Sequence, residues 1–333
     1  MKFVRFVALA CALVLVVQPG AARAWGALGH RLINRAAIAA LPPSIPEFLK
    51  TAQAVNDLEL LGSEPDNRDG AGSSADHDLG PARYIFLGDD GRVMGALPLT
   101  PLPANREAYD TALRNAGTDE YRAGFLPYSI IDGFEIVRRD FAYWRAIDVM
   151  ARKASTPADK TYFTALRTLR EQLTLRDIGF WSHYVSDGAA PLHTSVHIDG
   201  WDQYANSKGI YQRFEITFVD QAMREQFVTP RVPAYVACAD CTIEGETVKY
   251  LAATNALVEH VYQLDALGAF NAPTEAGTRF VADRLATAAT ELRDLIALAW
   301  VQSDDQAIGF PEVKVKDVES GSVQPSHAQL GGA

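Results

Sequence analysis

Apolar side chains in this chain recur every three or four residues and hardly ever on alternate ones, the period of an α-helix and not of a half-buried strand. Ile130, Phe134, Val137, Phe141, Trp144 and Ile147 draw one stripe along a long helix that starts near Ser129. A second helix opens with Thr156 as its cap and Pro157 in its first turn, then runs through Leu166, Leu169 and Leu173, with room for a break near Gly179. A third runs from about Thr274 through Phe280, Leu285, Leu292 and Leu295 to Trp300. Shorter helices are expected over 31–41, 45–55, 211–227 and 248–267. With no internal repeat and no clean boundary, the pattern predicts an all-α fold: a single globular multi-helix domain over residues 25–308. Residues 62–91, rich in Gly, Asp and Ser, read as a long irregular loop, and 309–333 as a polar, disordered tail in which His327 has no role.

The N-terminus reads as a signal peptide over residues 1–24. Lys2 and Arg5 precede an apolar run from Val7 to Val17, Pro19-Gly20 breaks it, and Ala22-Arg23-Ala24 is a small-x-small cleavage site. The apolar run falls well short of the ~20 residues a spanning helix needs, so cleavage before Trp25 is expected, with export to the periplasm or beyond and no integral membrane association. Cleavage removes Lys2, Arg5 and Arg23 and no acid, taking the formal charge from -10 to -13. So acidic a chain gains nothing from general attraction to phosphate backbones, and a polyanionic substrate would need a metal ion or a local basic patch. Cys238 and Cys241, the cysteines left after cleavage, lie in no βαβ pattern and have no second pair to build a metal knuckle. In an oxidising compartment they are expected to form a small structural disulfide.

Chemistry concentrates in the run from Phe180 to His193. His183 and Asp187 stand four residues apart, so on a helix both side chains leave the same face and can close on one ion. Gly188 and Pro191 end the helix and return His193 to the same neighbourhood. Imidazole nitrogens with a carboxylate oxygen suit a borderline divalent ion such as zinc.

The expected cleavage point is followed at once by Trp25-Gly26-Ala27-Leu28-Gly29-His30. Taken with His183-x3-Asp187-x5-His193 and the later Phe214-Glu215, this resembles the superfamily of zinc-dependent phospholipases C and single-strand-specific nucleases, with gaps, over nearly the whole mature chain. The resemblance implies up to three zinc ions, held by the freed N-terminal Trp25 and by His30, His77, His183, Asp187, His193, Glu215 and an Asp ahead of His77. Asp66 is the choice for that Asp, because Pro65 fixes the approach of the chain, and Asp69 is the runner-up. A free α-amine and its adjacent carbonyl oxygen form a five-membered chelate, available only once cleavage exposes Trp25. By the resemblance, Asp187 bridges this zinc to a second one held by His183, His77 and Asp66. A hydroxide between two such ions would attack phosphorus, which makes Asp66 and Asp187 the catalytic candidates.

The third zinc is where the chain departs from the family. Tyr211 stands four residues before Glu215, where the family has a His. A neutral phenol with a pKa of ~10 is a poor ligand, so His197 is an alternative donor and an empty third site another outcome. The functional expectation is an exported zinc-dependent nuclease for single-stranded nucleic acid; Trp181, Trp201, Tyr204 and Phe214 lie near the site, but the sequence places no clear aromatic platform for base stacking. Glu215 in place of Asp resembles the phospholipase C branch and makes phospholipid the second substrate class. A zinc-binding protein with impaired catalysis is the third reading. No obligate protein partner is evident, and His260 reads as an ordinary surface histidine.

Overall fold

Thr156 accepts the Asp159 N–H, and Thr274 accepts the Gly277 N–H; these two caps start two of the three helices that carry the fold. The computed structural model describes residues 24–68 and 78–331. Its helices are α1 Gly26–Ala39, α2 Ala52–Leu61, α3 Glu64–Asn67, α4 Arg106–Asn115, α5 Glu120–Ala123, α6 Leu126–Lys153 and α7 Pro157–Asp187. A π-helical turn, Gln212–Thr217, runs directly into α8 Phe218–Ala222. After it come α9 Glu225–Val228, α10 Ile243–Asn255, α11 Val258–Ala266, α12 Glu275–Gln302 and α13 Val315–Ser320. Among the described residues, strand is confined to two antiparallel pairs, Arg92–Val93 with Leu97–Pro98 and Ala307–Ile308 with Val313–Lys314. The fold is all-α.

A three-residue link makes α6 and α7 an antiparallel hairpin, and α12 packs across both. Gly133 on α6 permits the close approach: a Cβ there would stand 2.1 Å from Cδ1 of Trp181 on α7, whose indole N–H donates to the Ile130 carbonyl at 2.8 Å. The break expected near Gly179 does not occur, and α7 runs through it. A Cβ at Gly179 would lie 2.3 Å from the Leu61 Cβ, so this glycine lets α2 seat against α7 instead of ending the helix. The last turn of α7 is thereby enclosed by α1, α2 and α3.

Four other local expectations change. The helix expected over 45–55 starts only at Ala52, because Pro42, Pro43 and Pro46 hold the preceding chain in turns and a 3-10 segment, and Thr51 supplies the cap. The segment 211–227 is a π turn and two short helices, and 248–267 falls into α10 and α11. The expected disordered tail is ordered from 309 to 331: β-pairing, α13 and a 3-10 turn place Val315, Val318 and Leu330 in a second apolar cluster with Ala146, Ile147 and Phe163 of the α6–α7 hairpin. Its few apolar residues suffice because the hairpin offers them a ready surface. Cys238 and Cys241 are joined as a disulfide on the loop before α10. No helix of the described residues is long and apolar enough to cross a membrane.

Candidate metal centre

Trp25 caps α1 in the left-handed backbone region, with φ 61°, a conformation an aromatic residue holds only when its surroundings force it. The indole is fully buried, donates from Nε1 to the Ser186 carbonyl at 2.9 Å and meets the Phe214 ring edge-on at 5.6 Å. Two glycines of the Trp-Gly-x-x-Gly-His run make this possible. Gly26 also has positive φ, and a Cβ at Gly29 would stand 2.5 Å from the Trp25 Cβ. Five residues after Trp25, α1 delivers His30 to the last turn of α7.

There, His30, His183 and Asp187 present nitrogen and oxygen atoms that all lie within 4.8 Å of one another, in a fully buried group. The carboxylate of Asp187 is divided between the two rings: Oδ1 is 3.7 Å from His30 Nε2, and Oδ2 is 3.4 Å from His183 Nε2. Asp66, on α3, brings its Oδ1 to 3.6 Å from His183 Nε2. His183 Nδ1 donates to the Gly62 carbonyl at 2.8 Å, which settles its tautomer and leaves Nε2 as the inward lone pair. A Cβ on Gly62 would collide with the Asn34 amide at 2.2 Å, so glycine is what allows that carbonyl so close.

Burial works against charge on every member of this group. Burial lowers His30 to about 3 and holds His183 well below the ordinary imidazole range, so both rings are neutral donors near pH 7. Burial also drives Asp187 well above the usual carboxylate range, with Asp66 and Glu215 adding to the rise. Among the described residues, His30 Nε2, His183 Nε2 and both Asp187 oxygens have no hydrogen-bond partner. Buried polar atoms are rarely left so, and a divalent ion would satisfy all of them at once.

A second set adjoins the first. After α7 the chain turns through Ala190 N–H to the Asp187 carbonyl and His193 N–H to the Ala190 carbonyl, then runs beside residues 85–87. His193 Nδ1 donates to the Arg83 carbonyl at 2.8 Å, and its Nε2 lies 3.4 Å from Glu215 Oε2 and 3.5 Å from the Tyr211 hydroxyl. Burial opposes protonation of His193, but Glu215 prevails and raises it to about 9. Burial likewise raises Glu215, against the pull of His193 and of the Trp25 N–H. The π turn is what points Glu215 inward, a recurrent use of that geometry at functional positions. Tyr211 is pushed well above the usual phenol range, by burial first and then by Glu215, so it enters this set as a neutral hydroxyl. Two full ligands and a phenol make this set a weaker match to a metal ion than the first.

The remaining candidates fall elsewhere. His197 is not with His193 and Glu215: its Nε2 faces Asp89 at 2.9 Å and its ring lies flat on Trp201 at 4.0 Å. Trp181 and Phe214 are buried in the core and offer no face to a base, whereas Trp201 and Tyr204 stay half-exposed. His260 meets the edge of Phe280, and His327 stacks on Tyr162 beside Asp159. Asp69, His77 and the leader up to residue 23 lie outside the described residues. Arg83, fully buried between the two sets, escaped sequence reasoning because nothing local distinguishes it from a surface arginine. Comparison with protein-family models and with curated proteins finds no match.

Proposed function

We propose that this chain is an exported, zinc-dependent phosphodiester hydrolase acting on single-stranded nucleic acid, in the manner of the superfamily its motifs resemble. The observation that carries the reading is the division of the Asp187 carboxylate between His30 and His183 in a buried pocket. These three side chains form one group able to hold a divalent ion, and it is the resemblance that would make Asp187 serve a second ion as well. Bound ions would supply Lewis-acid activation of water and charge neutralisation at a phosphoryl group. His30, His183 and Asp187 would hold them, with Asp66 beside His183. The resemblance adds His77 and the amine and carbonyl of a freed Trp25. The buried walls exclude bulk water and so strengthen each of these interactions.

Support for a nucleic-acid substrate comes from a cavity of about 500 Å³ between α6 and α7. Tyr184 and Phe180, neighbours of His183 on α7, line it together with Arg68, whose guanidinium lies 4.3 Å above the Phe180 ring. Asp132 and Asp177 offset its arginines, so flat stacking surface rather than net charge recommends it for bases. Glu215 supports the second reading, a phospholipase C, through its likeness to that branch.

The test is hydrolysis of bis-p-nitrophenyl phosphate by protein beginning at Trp25, with and without a chelator, followed by parallel assays on single-stranded DNA and phosphatidylcholine. Chelator-sensitive turnover and cleavage of DNA are expected. Full activity in a protein holding less than one zinc per chain would sink the reading, and cleavage of phosphatidylcholine alone would move the protein to the other branch.

A further inference from the structure

A guanidinium is built into the metal centre. Arg83 ends the 3-10 turn Pro81–Arg83 and is only 1% exposed. Its Nη1 lies 3.0 Å from Asp66 Oδ1, and its Nη2 donates to the Pro65 carbonyl at 2.8 Å. Its own carbonyl accepts the His193 Nδ1–H. One residue therefore touches the carboxylate beside His183 and the imidazole of the second set.

We propose that Arg83 is a positioning residue of the metal centre, whose guanidinium holds the Asp66 carboxylate aimed at the His183 side. The inference rests on the reading that the centre binds a metal ion. Asp66 is 4% exposed, so the direction of its carboxylate is set by the groups packed around it. The planar fork of arginine suits the task, since one arm meets Asp66 while the other grips the carbonyl of the residue before it, which fixes Asp66 in one orientation. A lysine keeps the charge but, as a single point donor, cannot make both contacts in a fixed geometry.

The test measures zinc affinity by chelator competition, and the visible spectrum of the Co²⁺-substituted protein, for wild type, R83K, R83M, D66N and R83M/D66N, with each melting temperature. Removing a group that orients a ligand typically weakens metal binding by about 10–100-fold, so R83M is expected in that range with an altered Co²⁺ spectrum, and R83K between it and wild type. Because Arg83 acts through Asp66, R83M should cost little more in the D66N background. Should R83M fail to fold, R83K and the double variant still decide the matter. Unchanged or tighter binding in R83M or R83K, or fully additive losses in the double variant, would overturn the proposal. A wild type that binds neither ion would overturn the metal reading itself and this proposal with it.

Discussion

The rings of His30 and His183 lie stacked, with centroids 4.2 Å apart and planes 18° from parallel. Two imidazolium ions would repel one another strongly at that distance, and burial already holds both rings neutral. The stack is therefore a pair of lone-pair donors, each with its Nε2 facing a different oxygen of Asp187. Nothing in either helix alone would hold two histidines so.

Asp187→Asn should remove more metal than Asp66→Asn. Each Asp187 oxygen faces its own histidine, whereas Asp66 approaches His183 alone and is partly engaged by Arg83. Zinc counting after gel filtration is expected to show Asp187→Asn losing at least about ten times more affinity. Asp66→Asn also removes the Arg83 ion pair, so part of its effect will be a loss of stability, read separately from thermal melts. Equal zinc retention in the two folded variants would remove Asp187 from the bridging position.

Tyr211→His should complete the second set. The hydroxyl already lies 3.5 Å from His193 Nε2, and an imidazole there would join His193 and Glu215 as a third nitrogen or oxygen donor. One additional zinc per chain is expected by atomic emission, with turnover of bis-p-nitrophenyl phosphate rising about tenfold, a gain of roughly 1.4 kcal/mol in transition-state binding. An unchanged zinc count would mean that Tyr211 closes this set for structural reasons.

Glu291 supplies a pH test remote from the metal centre. Burial lifts its carboxyl to about 8, and Glu246 and Asp294 add to the rise while Lys249 opposes it. Its folded pKa exceeds the unfolded value, so the folded chain binds more protons between the two. Its contribution to stability is thus fully present below about 4.5 and is lost as pH rises through about 8. Glu291→Gln keeps the shape without the charge. It should leave stability nearly unchanged at pH 4.5 and raise it at pH 9 by on the order of 2 kcal/mol in denaturant titrations. Equal effects at both values would show that the carboxyl ionises in the fold without cost.

Gly133→Ala tests the seam between α6 and α7. Alanine in a helix interior normally gains roughly 0.5–1 kcal/mol over glycine, but here the methyl group would be driven to 2.1 Å from the Trp181 ring. A net loss of about 1–3 kcal/mol is expected from urea denaturation. A stabilised variant would mean that the Trp181 ring moves aside freely.

The long helices were legible because their determinants are local. Thr156 with Pro157, Thr274, and the apolar stripe from Ile130 to Ile147 act within a turn or two of themselves. His183 and Asp187 were legible for the same reason: four residues on a helix place them on one face whatever else the chain does. Gly179 was misleading because its role is nonlocal; it answers to Leu61 on another helix, which a window along α7 does not contain. The tail was misread on the same ground, since Val315, Val318 and Leu330 bury only because the α6–α7 hairpin receives them.

Residue types and spacing thus determined an all-α fold and nominated His183, Asp187 and His193, and the family resemblance added His30 and Glu215. Only tertiary structure decided how they divide. Packing of α1 against the end of α7 joined His30 to His183 and Asp187, and the π turn carried Glu215 to His193. It sent His197 to Asp89 and Trp201, and drew Arg83 inside to Asp66. Local hydrogen bonds and side-chain period propagate along a helix and can be read in order. Which distant side chains share a dry pocket depends on how whole helices dock, and that is settled by burying their apolar faces together, not by the polar residues they carry in with them.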